Sequence, residues 1–331
     1  MEFHQVVNIL TSASLASATA TITGTATLPE PIPSPTPSPH LPPQAVTFLT
    51  VGTFGRVVSW IAVALYTLAL LCFLYSTLHR PTHKRLLPIL LTLISIVSLA
   101  AYYSYATNLG FAFQFLGTPD KLIARQVFYG RFVQYAATTP LILVTLGSFA
   151  GLQAYRIVLL AITGFALEVF GGIGTAVIHS GFHRGHLHTH HAAWGWLLLS
   201  LLSFLYPLLT LFIPARTSVA QRSPALLRPY TILLSLELLF FVPYPLFMLL
   251  GSWFNLLGPK AEFLANTLLD ILTKPVFGWA LLFVLYRHPE GEVLMTPTWA
   301  GEAGYEPVPQ AVEGEEVQVA VAPAAAVEAA A

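Results

Sequence analysis

Asp270 and Lys274 stand four residues apart inside a long apolar run. On a helix that spacing puts both side chains on one face, about a turn apart. Ionisable groups inside apolar spans are costly, so their presence is informative. This pair admits two readings. One is a buried ion pair that only holds helices together. The other is an amine poised to condense with an aldehyde, because burial favours the neutral, nucleophilic form of any amine, with the carboxylate neutralising the cation that results. The chain has one other aspartate, Asp120, in a stretch between apolar runs. Arg131, Glu168 and Glu237 also lie within apolar runs, and Glu262 opens the run that carries the pair.

The elements that must position these groups are membrane helices. The chain has 331 residues, 55% hydrophobic and 9% charged, with a mean hydropathy of +0.70, more apolar side chain than a soluble core can hide. Spanning a bilayer takes about 20 mostly apolar residues as helix, because lipid offers the backbone no hydrogen-bond partners. Seven runs qualify: 54–75, 86–108, 127–149, 155–178, 192–213, 230–250 and 262–286. The predicted fold is an all-α membrane protein, a seven-transmembrane-helix bundle occupying 49–288. Residues 1–48, rich in Ser, Thr and Pro, read as a disordered extracellular tail without a convincing cleavable signal, and 289–331 as a disordered acidic cytoplasmic tail. Loops after the first, third and fifth runs, with the segment after the seventh, hold eight basic residues against five on the other side. That bias predicts an outside N-terminus and a cytoplasmic C-terminus. Cys72 is the one cysteine, so no disulfide framework exists. A net charge of zero gives no reason to expect a nucleic-acid partner.

The third run contains Tyr129-Gly130-Arg131-Phe132-Val133-Gln134-Tyr135-Ala136-Ala137-Thr138-Thr139-Pro140. It closely resembles the third helix of microbial rhodopsins, with its Arg, its counter-ion position three residues on, and its Thr-Thr-Pro. Leu269-Asp270-Ile271-Leu272-Thr273-Lys274 resembles the seventh helix of that family, and Phe241, Tyr244, Pro245 and Met248 match the spacing of its sixth-helix pocket residues. The resemblance covers roughly residues 50–287 and is nearest to fungal opsins. It implies all-trans retinal joined to Lys274 as a Schiff base, with Asp270 as counter-ion and Arg131 organising charge and water on the extracellular side. It further implies Thr138 and Tyr102 in the hydrogen-bonded shell, and Tyr135, Phe241, Tyr244, Met248, Trp196 and Leu197 around the polyene. Glu262 falls where pumps of the family keep a proton-release carboxylate.

The departures bear on function. Proton-pumping relatives carry Asp where this chain has Gln134, and an amide cannot accept a proton at neutral pH. They carry a cytoplasmic donor carboxylate where this chain has Thr145. The charge sum is also short by one carboxylate, since Lys274 and Arg131 face Asp270 alone. At an effective dielectric near 20, a unit charge at about 4 Å is worth roughly 4 kcal/mol. Compensation could come from deprotonation of the imine, from a chloride bound beside Gln134 and Thr138, or from another carboxylate. Glu168 aligns, through Gly171-Gly172, near the chromophore-ring position, and Glu237 precedes Phe241 by four residues as a substitute proton donor. Either could equally be a protonated carboxyl bonded within the bundle.

These features predict a photoreceptor rather than an enzyme, sensory rather than an ordinary proton pump, in a lipid bilayer. A cytoplasmic signalling partner and a homo-oligomer are further expectations. The alternatives are a light-driven ion transporter or light-gated channel for chloride or protons, and a retinal-free opsin-related membrane protein, against which Lys274 argues. His179, His183, His186, His188, His190 and His191 form one cluster. It reads as a solvated loop changing charge near pH 6 to 7, with a surface metal site as the lesser alternative and no metal assigned. Pro275, directly after the lysine, removes a backbone donor and is expected to kink its helix or accommodate local packing.

Overall fold

A computed structural model describes residues 46–118, 121–181 and 187–291. Among the described residues, seven helical spans are long and apolar enough to cross a membrane. They are α1 Gly52–His79, α2 Leu86–Ala106, α3 Gly130–Phe149, α4 Ala154–Val177, α5 His191–Arg222, α6 Pro224–Trp253 and α7 Pro259–Arg287. Each satisfies its own backbone and turns residues such as Leu71, Ile162, Leu202 and Phe283 outward, as a lipid-facing bundle must. Prolines at the first turns of α6 and α7, where a missing N–H loses no bond, fix the starts of those spans. α3 and α7 are the most enclosed, with 56% and 50% of their apolar windows buried against 17% for α4 and for α6. That places the helices bearing Arg131 and Lys274 at the centre.

One side of the bundle carries a three-stranded sheet in the order β1-β3-β2, with β1 Val46–Leu49, β2 Ala112–Thr118 and β3 Lys121–Val127. β2 and β3 form an antiparallel hairpin, and β1 joins β3 in parallel. The sheet corrects two boundaries expected from the sequence. Strand pairing begins at Val46, inside the segment assigned to the tail, and Val127 ends β3 rather than starting α3. The reason is local: the Val51 N–H donates to Gln126 Oε1 at 3.0 Å, tying the start of α1 to the hairpin. Asn108 and Gly110, both at positive φ, turn the chain out of α2 into β2.

The packed interior divides along the bundle axis. The sheet side is ring-rich, with Tyr66, Tyr102, Tyr105, Phe128 and Phe263. The far side is a larger, mostly aliphatic core, including Leu91, Ile94, Leu146, Leu160, Leu234 and Leu281.

α6 and α7 both depart from regular α-helix, through π-helical turns at Leu249–Trp253 and Leu272–Val276. The second contains Lys274 and Pro275. A π-turn widens the helix by one residue, so the proline without its N–H is absorbed there.

Candidate functional site

Asp270 is fully buried and surrounded by hydroxyls. Its Oδ1 accepts from the Lys274 ammonium and from Tyr244 OH at 2.7 Å. Its Oδ2 accepts from Tyr102 OH at 2.6 Å and Tyr135 OH at 3.4 Å. Tyr66 OH donates to the Asp270 backbone carbonyl at 2.9 Å, and its ring stacks on Tyr102. Residues from α2, α3, α6 and α7 thus converge on one carboxylate, and α1 holds its backbone. A buried charge is tolerated when it is paired and its lone pairs are filled, and both conditions hold here.

The Lys274 Nζ also lies over the Tyr135 ring, 4.7 Å from its centroid, where the electron-rich face favours a cation. The amine borders a small cavity walled in part by Tyr135, Glu168, Phe241 and Tyr244. The same four residues border a larger, mostly apolar cavity of about 200 Å³ that passes Gly171, Leu197, Phe204 and Met248. A lysine amine beside a carboxylate, sharing walls with a mostly apolar cavity, has the donor chemistry and surroundings for an aldehyde with an apolar body.

Gln134, at the family's counter-ion position, is 2% exposed and does not reach Lys274 within hydrogen-bonding distance. Its Oε1 accepts from Tyr105 OH at 3.5 Å, and its Nε2 has no partner among the described residues. Arg131 makes no ion pair among the described residues. Instead its guanidinium lies over the rings of Phe263 and Phe128, at 4.8 and 5.5 Å, and donates to the Phe263 carbonyl at 3.4 Å. The surplus positive charge foreseen from the sequence therefore sits on Arg131, held by aromatic faces, while Lys274 has its carboxylate.

The other carboxylates inside the spans differ in their surroundings. Glu168 Oε1 accepts from Thr139 Oγ1 at 2.8 Å, and the residue lines both the small cavity that it shares with Lys274 and the large one. Glu237 is 5% exposed, and neither of its oxygens has a partner among the described residues. It lines an apolar cavity that shares Thr139, Ile142 and Phe241 with the cavity at Lys274. Glu262 is ion-paired to Arg125 of β3 at 2.7 Å and accepts from Ser252 Oγ at 2.8 Å.

The comparisons agree with this geometry. A family model described as bacteriorhodopsin-like protein matches residues 53–287. The chain belongs to the bacteriorhodopsin-like family. Opsin-1 of Neurospora crassa is 28% identical over 267 residues, covering 78% of this chain and 85% of that protein. The opsin-like protein carO of Fusarium fujikuroi is 26% identical over 229 residues, 68% of this chain and 71% of that one. The solved structure of a light-driven proton pump from Leptosphaeria maculans superposes with a TM-score of 0.67 at 23% identity, covering 74% of this chain and all of that chain. Halorhodopsin, a light-driven chloride pump, superposes at 0.62 with 21% identity, over 72% and 98%. The family comprises photoreceptors, pumps and channels rather than enzymes, and membership implies a retinal chromophore in a seven-span membrane protein.

Within that family frame, most expected site residues come together and a few do not. Lys274, Asp270, Tyr102, Tyr135 and Tyr244 meet directly, and Phe241 and Met248 wall the large cavity. Thr138 does not join them, since its hydroxyl donates to the Gln134 carbonyl of its own helix at 3.0 Å. Trp196 packs against Phe170 outside the cavity wall, which α5 supplies through Leu197, Ser200 and Phe204 instead. Thr145 also bonds its own helix, at Leu141. Sequence reasoning missed Tyr66, Tyr105 and Arg125. For Tyr105 a signal existed: it shares a helix face with Tyr102 at three-residue spacing, whereas Tyr103 points outward. His183 and His186 lie outside the described residues, as do the side chains of His179, His188 and His190, so the expectation for the histidine cluster falls outside them too.

Proposed function

We propose that this chain is a light receptor carrying all-trans retinal on Lys274, and that it signals through a change of shape rather than by ordinary proton pumping. Bound there as an imine, the group supplies light absorption and a light-driven change of geometry. The chain's own residues do the rest. Asp270 neutralises the positive nitrogen, while Tyr102, Tyr135 and Tyr244 fix the carboxylate and spread its charge over phenol hydrogen bonds. Phe241, Met248 and Leu197 give the cavity apolar walls. Glu168 and Glu237 are the candidate proton carriers on the far side, with Glu168 the nearer to Lys274.

One observation carries the sensory reading: across from Lys274 stands an amide, Gln134, that cannot take a proton, and Thr145 offers no donor carboxylate. The loop charges support an outside sheet and N-terminus with a cytoplasmic C-terminus, where an unidentified partner would read the change. A specific observation favours chloride transport as second reading: Gln134 Nε2 and Arg131 Nε are both buried donors without partners among the described residues, as an anion site requires. The test is absorption of the full chain with all-trans retinal, with and without chloride, followed by light-induced pH change and photocurrent in whole cells. A chloride-insensitive band with silent cells is expected. A chloride-dependent shift with photocurrent supports the anion reading, and sustained light-driven acidification of the medium overturns the sensory one.

A further inference from the structure

At its end nearer the sheet the large cavity is lined by Val127, Arg131, Ser252, Glu262 and Asn266. A free carboxylate at that end would be the natural last station for a proton leaving the site. Glu262 is not free. Arg125, 1% exposed, reaches in from β3 and donates to Glu262 Oε2 and to the Leu257 carbonyl, both at 2.7 Å. Ser252 Oγ donates to the other oxygen, Oε1, at 2.8 Å. Asn266 Nδ2 holds the Glu262 backbone carbonyl at 2.9 Å. Both carboxylate oxygens are therefore occupied and the charge is neutralised.

The surroundings are shaped around this pair. A Cβ at Gly251 would lie 2.5 Å from Glu262 Cδ, so a glycine there is what lets the carboxylate occupy its place. Arg125 is held in register from both sides, by Leu49 of β1 and Gln114 of β2. A buried pair of this kind resists opening, because removing either member strands the other charge away from water.

We infer that Arg125 is a positioning residue that keeps Glu262 a carboxylate and withdraws it from proton exchange. The inference deepens the proposed function, since it accounts for a pigment without an outward proton exit, and it rests on that reading only for its light-driven readout. The sheet thereby serves the site directly, because β3 delivers the arginine.

The experiment uses the full chain in lipid nanodiscs, with infrared spectra recorded with and without retinal and a pH-indicator dye after a flash. In the native chain, E262Q is expected to remove no carboxylic-acid C=O band, and the dye to report no release. In R125Q, a new C=O band appears that is lost in the R125Q/E262Q double variant, and a flash produces transient acidification. R125K behaves as the native chain. A Glu262-dependent C=O band in the native chain overturns the inference, as does an R125Q protein with an intact visible band that shows neither new band nor release. Where R125Q does not fold, the comparison of the native chain with E262Q decides between the two outcomes. A missing visible band in every variant sinks the chromophore reading instead, while the infrared comparison without retinal still decides the role of Arg125.

Discussion

The two ends of the bundle solve the burial of charge in opposite ways. On the sheet side every described carboxylate is paired: Asp270 with Lys274 and three phenols, Glu262 with Arg125 and Ser252. Even the unpaired Arg131 rests between two rings. On the far side Glu168 has a bond from Thr139 alone, and Glu237 sits among mostly aliphatic residues with neither oxygen bonded among the described residues. Polar networks are stable only when fully satisfied, and a lone acid in an apolar pocket is a stored penalty. The difference implies that the sheet side is built to be fixed and the far side to change when the site does.

Several substitutions would break or sharpen that contrast. The largest effect is expected from Asp270→Asn, which strands Lys274 in a dry site and should cost about 3–5 kcal/mol, read as a lower thermal midpoint of the retinal-free chain. Adding Lys274→Met should recover most of that loss, because the pair is then removed together. Tyr102→Phe deletes the shortest phenol bond to the carboxylate and should cost about 1.5–3 kcal/mol, as bonds to charged groups do. Glu237→Leu should move in the other direction. Replacing an unsatisfied buried carboxyl by an apolar side chain should stabilise by roughly 1–2 kcal/mol, and a fall in the midpoint would show that the acid has a partner after all. Tyr135→Phe, whose bond to Asp270 is long, should cost only about 0.5–1 kcal/mol while keeping the ring beneath the lysine.

The spans were legible because lipid imposes a simple rule, and long apolar runs with few charges can satisfy it only as helices. Lys274 and Asp270 were legible because four-residue spacing on one helix needs no tertiary knowledge. Residues that meet across helices were harder. Arg125 read as one loop charge among several, and only the hairpin register turns it inward against Glu262. Tyr66 lies 204 residues from the carbonyl it bonds, a distance no local pattern encodes. Thr138 was assigned to the shell by its family position, yet a hydroxyl inside a helix readily bonds its own backbone four residues earlier, as it does here. Glu168 was legible as a carboxylate inside a span, but its bond from Thr139 of the neighbouring helix was not. Pro275 was expected to kink its helix or accommodate local packing, and it lies in a π-turn that no sequence pattern announced.

The claim beneath all of this is that one lysine carries the chromophore. It is tested most directly by supplying all-trans retinal to membranes containing the full chain, reducing the linkage with borohydride, and mapping the modified residue by peptide mass spectrometry. The account predicts a single retinyl adduct on Lys274, lost together with the visible band in Lys274→Arg. An adduct on another lysine, or a native chain that takes up no retinal at all, would contradict it.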